Sequence, residues 1–183
     1  MNSQTNTVSI GKIRLIALDV DGVLTDGTLL YGAGGQELKG FNTQDGLGLT
    51  AARKQVLSIA IITGRTSAIV EWRAHELQVD YLYMGCRNKT VALQDICQRM
   101  GIGLEQVAYM GDDLNDLGPL TIVGLAMAPH NACDDVKSIA HLVTATSGGH
   151  GAVREAVEYI LKGQGSWSAV LASYREEDYE RGQ

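Results

Sequence analysis

Short apolar runs alternate with amphipathic stretches along the chain. The runs at 13–18, 56–62, 81–83, 107–110, 122–126 and 141–143 read as strands. The stretches near 46–54, 66–77, 89–100, 113–119, 132–138 and 150–162 read as helices. Strands that are apolar almost throughout are covered on both faces. The β-then-α rhythm therefore predicts an α/β fold: a Rossmann-like, mostly parallel sheet with helices on both sides. One segment breaks the rhythm. Thr28–Tyr31 and Glu37–Phe41 flank Gly32-Ala33-Gly34-Gly35, the pattern of a β-hairpin. It lies between the first strand and its helix, so it forms a flap beside that strand's carboxyl end. No insertion is large enough for a cap domain. The expectation is one domain over 10–165, with a C-terminal tail at 166–183. In the tail, Trp167, Val170, Leu171 and Tyr174 repeat weakly at helical spacing, and Arg175-Glu176-Glu177-Asp178 reads as a solvated patch. The tail is either a frayed end or an arm that packs on another subunit.

Composition narrows the classes. At 183 residues the chain buries enough surface to fold without a staple. Cys86, Cys97 and Cys133 are widely spaced and match no metal-ligand pattern, so they read as free thiols in a reducing compartment. A formal charge of -6 with no basic stripe argues against nucleic-acid binding. The first residues, MNSQTNTVSIGK, are polar and lack a signal-peptide core, and no run reaches the length of a membrane span. A soluble cytoplasmic protein is the expectation.

The chemistry gathers at the strand ends, where open α/β sheets form their sites. The first run delivers Asp19 and Asp21. The second, IAIITGR, delivers Thr63, Gly64 and Arg65, and Lys89 opens the helix after the third. The fourth, VAYMGDDLND, delivers Asp112, Asp113, Asn115 and Asp116. Each is commonplace alone, because a strand-end aspartate is usually a helix cap or a turn former. Together they place up to five carboxylates along one edge, which calls for a cation. Oxygen-only ligands suit Mg²⁺. A carboxylate beside Mg²⁺ and a lysine is placed to attack a phosphoryl group in line. A second carboxylate two residues on is placed to move the proton. Asp19, Asp21, Thr63, Lys89 and Asp112 fill those roles.

The order D-V-D-G-V-L-T, I-I-T-G-R, lysine, G-D-D-x-N-D resembles the haloacid dehalogenase superfamily of phosphohydrolases. The segments ALDVDGVLTDGTL, GQELKGFNTQDGLGL, GCRNK and GGHGAVREAVEYIL narrow the resemblance to the 3-deoxy-D-manno-octulosonate 8-phosphate phosphatase family, over about residues 10–165. The resemblance implies that Asp19 is the nucleophile and Asp21 the general acid/base, with Thr63 and Lys89 binding the phosphoryl group. It implies Mg²⁺ held by Asp19, the backbone carbonyl of Asp21, and Asp112. Asp113 and Asp116 then orient ligands or Lys89. Substrate binding falls to Arg65, Arg73, Gly64 and Asn42, with one arginine acting across a subunit boundary and arginine suited to the sugar acid's carboxylate. The family forms homotetramers in which a neighbouring subunit closes the site and the hairpin mediates assembly.

Two features depart from the family pattern. His150 stands where the nearest relatives carry arginine, and the tail beyond Gly165 is longer. Rival readings are a sister phosphatase for a nine-carbon sugar acid 9-phosphate, a non-catalytic interaction module and a phosphotransfer enzyme. Arg65 favours the eight-carbon acid, since the nine-carbon relatives carry glutamate there. The presence of both Asp19 and Asp21 argues against the module, and the lack of a cap against phosphotransfer.

Overall fold

The computed structural model describes residues 9–181, with side chains described as far as residue 176. The polar segment 1–8, and the side chains of Glu177 and Asp178 in the charged run, lie outside that description. The strands β1 (Leu15–Leu18), β2 (Leu30–Tyr31), β3 (Glu37–Leu38), β4 (Ser58–Ile62), β5 (Tyr81–Tyr83), β6 (Val107–Met110), β7 (Leu125–Ala128) and β8 (Leu142–Val143) follow in chain order. Six of them form one parallel sheet, in the order β5-β4-β1-β6-β7-β8. β2 and β3 pair separately as the antiparallel hairpin. The helices are α1 (Thr43–Lys54), α2 (Ala68–Glu76), α3 (Lys89–Met100), α4 (Leu117–Leu120), α5 (Asp134–Ile139), α6 (Ala152–Gly163) and α7 (Trp167–Arg181).

The two-residue period of a strand explains the two cores. Ile16 and Leu18 of β1, Ile59 and Ile61 of β4, and Ala108 and Met110 of β6 face α1, α2 and α6. Their neighbours Leu15, Ala17, Ala60, Ile62, Val107 and Tyr109 face α3, α4 and α5 on the other side. Polar caps start the helices. The Asn42 side chain accepts from the Gln44 N–H at 2.7 Å, and Ser67 and Asn88 do the same work for α2 and α3.

Most boundaries fall within two residues of the expected ones, and four elements differ in a way that the local chemistry explains. The fifth predicted strand, 122–126, lies at Leu125–Ala128. Gly124 runs so close to Glu105 that a Cβ there would fall 2.1 Å from its carbonyl oxygen, so the chain is still turning at 122–124. Helix α1 starts at Thr43 rather than 46, because its first turn is capped but polar. The hairpin strands shrink to two residues each. The helix expected at 113–119 is a 3₁₀ turn, Leu114–Asp116, followed by the short α4. The tail is helical. Val170 is buried, and Trp167 and Tyr174 pack on the same core as α6, so α7 lies on its own protomer. Lys54 Nζ sits 4.5 Å from the Tyr174 ring centre, and Arg154 sits over Trp167.

Candidate active site

The chain runs from β1 outward to β4 and β5, then returns to β6 on β1's other side. The carboxyl ends of β4, β1 and β6 thus lie side by side at the point where the order reverses. A cleft of about 250 Å³ opens there, with Asp19, Thr63, Arg65, Asp112 and Asn115 in its lining. Asp21, Gly27, Gly64 and Asp113 complete it.

Asp19 extends β1 by one ladder bond, from its N–H to the Met110 carbonyl at 3.0 Å. The chain then turns sharply. Gly22 adopts φ +89°, and a Cβ there would lie 1.9 Å from Asp112 Oδ2. Only glycine allows this approach of the β1 turn to the β6 carboxylate. Lys89 begins α3 and is buried. Its ammonium bridges Asp19 Oδ2 at 2.9 Å and Asp116 Oδ1 at 2.7 Å. Thr63 is also buried, and its backbone is held by the Tyr83 carbonyl and the Cys86 N–H.

The electrostatics describe a site short of positive charge. Burial and the neighbouring Asp116 push the Asp19 carboxyl up to about 6, against the pull of Lys89. Burial, followed by Asp19 and Asp116, pushes Asp112 up to about 7. Lys89 is drawn down by burial, but its two aspartates outweigh that and hold it above its ordinary value. Asp19 Oδ1 is buried with no hydrogen-bond partner. A divalent cation satisfies that oxygen and the charge together.

Carboxylate oxygens of Asp19, Asp112 and Asp116 lie within 4.8 Å of one another. Asp116 is nonetheless already occupied. Its Oδ1 accepts from Lys89 and from the Tyr109 hydroxyl at 2.6 Å, and its Oδ2 from the Asp112 N–H at 3.1 Å. Asp19 and Asp112 remain to meet a metal, and the set fits Mg²⁺.

The other expected residues divide. Gly64 and Arg65 line the cleft. The Arg65 guanidinium reaches the Tyr31 hydroxyl at 2.8 Å and approaches Glu37 at 3.4 Å and Asp21 at 3.6 Å. Asp113 also lines the cleft but is exposed and caps the 3₁₀ turn, so Asp116 rather than Asp113 holds Lys89. Asn42 and Arg73 are not brought into the cleft of their own protomer. Asn42 caps α1, and Arg73 lies over the Phe41 ring and pairs with Glu76 at 2.8 Å. Among residues given no role from sequence, Asn115 lines the cleft, and its place after β6 was the available signal. Tyr109 is silent in the sequence, where it reads as one more apolar strand position.

Comparison with known proteins agrees with this geometry. Residues 86–156 match the family model for haloacid dehalogenase-like hydrolases. The chain is 44% identical to the Escherichia coli K12 3-deoxy-D-manno-octulosonate 8-phosphate phosphatase KdsC over 154 residues, which is 84% of this chain and 82% of that protein. A crystal structure of the Moraxella catarrhalis phosphatase of that name, in complex with magnesium, phosphate and KDO, superposes with a TM-score of 0.90. It is 39% identical, and the match covers 94% of this chain and 99% of that one. The cobalt-bound Haemophilus influenzae phosphatase superposes at 0.83 with 37% identity, over 86% of this chain and 92% of its own. With its carboxylates, lysine and threonine meeting at one sheet edge, this chain belongs to the 3-deoxy-D-manno-octulosonate 8-phosphate phosphatase family of haloacid dehalogenase-like hydrolases.

Proposed function

We infer that the protein is a Mg²⁺-dependent phosphatase that hydrolyses 3-deoxy-D-manno-octulosonate 8-phosphate to KDO and phosphate. The observation that carries this is Asp19, buried, bridged by Lys89 and with one oxygen unsatisfied, at the floor of a cleft between three strand ends. Asp19, the Asp21 carbonyl and Asp112 would hold the ion, which when bound would supply charge neutralisation for the phosphoryl oxygens.

Asp19 attacks phosphorus, forming an Oδ–P bond as the bond to the sugar oxygen breaks. Asp21 gives its proton to that leaving oxygen. It then takes a proton from the water that displaces Asp19, which restores both carboxyl groups and releases phosphate. Lys89 and Thr63 face the equatorial oxygens, where charge builds up in the transition state. Asp116 keeps Lys89 in place, and Asp113 shapes the turn that carries Asp112. Arg65 and the Gly64 backbone meet the sugar acid. Arg73 and Asn42 serve substrate binding from outside their own cleft, with Arg73 reaching a neighbouring protomer's site.

The same reading makes the protein a cytoplasmic homotetramer, with residues 10–165 as the catalytic domain and 166–183 as its appendage. The support for assembly is the exposure of Leu30, Tyr31 and Leu38 on the hairpin and of Trp72 on α2. No helix among the described residues is long and apolar enough to cross a membrane.

The test is phosphate release from a panel of sugar phosphates, with Mg²⁺ and after EDTA treatment. The expected result is Mg²⁺-dependent turnover that is fastest on the eight-carbon acid and abolished by the chelator. Preference for a nine-carbon 9-phosphate would keep the chemistry and overturn the substrate. Turnover that survives EDTA would overturn the metal requirement.

A further inference from the structure

The hairpin is built inside out. Along β3 and the residue after it, the charged residues Glu37 and Lys39 share one side of the extended chain and Leu38 takes the other. Leu38 is 58% exposed, whereas the Lys39 side chain is 1% exposed. A lysine is among the residues least often buried, and burial of its ammonium is tolerated only with partners. Lys39 has two. Its Nζ donates to Asp21 Oδ1, and Glu37 Oε1 lies at 3.3 Å. Glu37 is itself tied to the sheet edge, since its other oxygen accepts from the Ser67 hydroxyl at 2.5 Å.

Lys39 is not among the residues that line the cleft, whereas Asp21 is. The ammonium therefore grips Asp21 from the hairpin side. The other oxygen, Oδ2, lies on the side of Arg65, whose Nε is 3.6 Å away and which does line the cleft. We propose that Lys39 is a positioning residue: anchoring Asp21 Oδ1, it presents Oδ2 to the leaving oxygen and then to the attacking water. This rests on the phosphatase reading and on Asp21 as the group that moves the proton. The hairpin then contributes to catalysis from within its own protomer.

A general acid matters most when the leaving group is a poor one. An alkyl phosphate needs the proton, whereas p-nitrophenyl phosphate leaves without it. The experiment compares wild type, Lys39→Met and Lys39→Arg on the sugar phosphate and on p-nitrophenyl phosphate. It measures steady-state kcat and KM, and the pre-steady-state release of p-nitrophenol. Lys39→Met is expected to lower kcat on the alkyl ester about 100-fold with little change in KM, the loss expected of a misplaced general acid. The p-nitrophenol burst should stay within about threefold, because that step needs no proton donor. Lys39→Arg keeps the charge and is expected to fall between the two on the alkyl ester, with its p-nitrophenol burst again close to wild type.

A loss in the p-nitrophenol burst rate equal to the loss of kcat on the alkyl ester would reduce Lys39 to a structural role and overturn the proposal. So would full activity in Lys39→Met, or a raised KM at unchanged kcat. If Lys39→Met does not fold, Lys39→Arg decides by the same ratio of alkyl to aryl loss. Failure of the phosphatase reading is a separate event, seen as silence of the wild-type protein on every ester. Should another alkyl phosphate prove the better substrate, the comparison is run on that one.

Discussion

Asp19 has an ammonium 2.9 Å away and two further carboxylates with oxygens within 4.8 Å of its own. That balance costs stability in the absence of a cation and gives the nucleophile its direction. Replacing Asp19 by Asn keeps the size and removes both the nucleophile and one of the crowded charges. Turnover is expected to fall by about 10⁴-fold or more, as for other nucleophile deletions. Thermal unfolding should stay close to wild type, because Lys89 retains Asp116. Phosphate release and a melting curve on the same preparation check both statements, and substantial residual turnover would remove Asp19 from the nucleophile's role. Burial explains why Lys89 is needed at this spot: a hydroxyl or amide there would leave both Asp19 and Asp116 uncompensated.

At the scale of elements, one junction is strained and one is well tied. Helix α1 ends at Lys54, and the second residue beyond it, Val56, takes φ +63° at 84% exposure. A β-branched residue is disfavoured in that left-handed region, which glycine occupies freely. Val56→Gly is expected to raise stability by about 1 kcal/mol, the left-handed penalty relieved less the extra chain entropy of glycine. Denaturant unfolding checks it, and a loss of stability would show that Val56 packs usefully.

The loop after β8 is tied to α6 by Glu155. Its carboxylate accepts from the Ala145 N–H at 2.8 Å and from the Thr146 N–H and hydroxyl at 3.1 and 2.7 Å. Partial burial pulls this carboxyl upward, but those bonds outweigh it and hold it below its ordinary 4.5. A depressed native value means stability that is present above the unfolded value and lost as pH falls through the native one. Glu155→Gln should therefore cost about 1 kcal/mol at pH 7, the usual worth of such a bond set after replacement by a neutral acceptor. The gap should close in acid below 4.5, and melting of both proteins across pH 3 to 7 tests it. A gap that persists in acid would assign the effect to shape rather than charge.

At the scale of the whole molecule, the hairpin joins two surfaces of opposite character. Its charged side is tied to residues at and beside the cleft, Lys39 to Asp21, Tyr31 to Arg65 and Glu37 to Ser67, and its apolar side, Leu30 and Leu38, faces outward. If a second copy covers that outer side, Leu30→Asp with Leu38→Asp should shift the sedimentation coefficient from that of a tetramer toward smaller species. The circular dichroism spectrum should be unchanged. A tetramer that survives both substitutions would place the assembly contact elsewhere.

The alternation of apolar runs and amphipathic stretches was enough to read a parallel sheet covered on both faces, because the strand period assigns each side chain to a face locally. It was enough also to put Asp19, Asp21, Thr63 and Asp112 at strand ends, because the polar residue that closes an apolar run stands where the strand leaves the core. What periodicity does not contain is which strands lie next to one another. The order β5-β4-β1-β6-β7-β8, which sets β1 between β4 and β6 and so makes one site of three strand ends, depends on how whole faces pack. The bond of Tyr109 to Asp116 joins a strand to the turn beyond it, and that of Lys89 to Asp19 joins residues 70 positions apart. The burial of Lys39 against Asp21 and the seating of Arg73 over Phe41 likewise depend on contacts distant in sequence. Local patterning determined the elements and the chemistry they carry, and tertiary packing decided which of those groups meet.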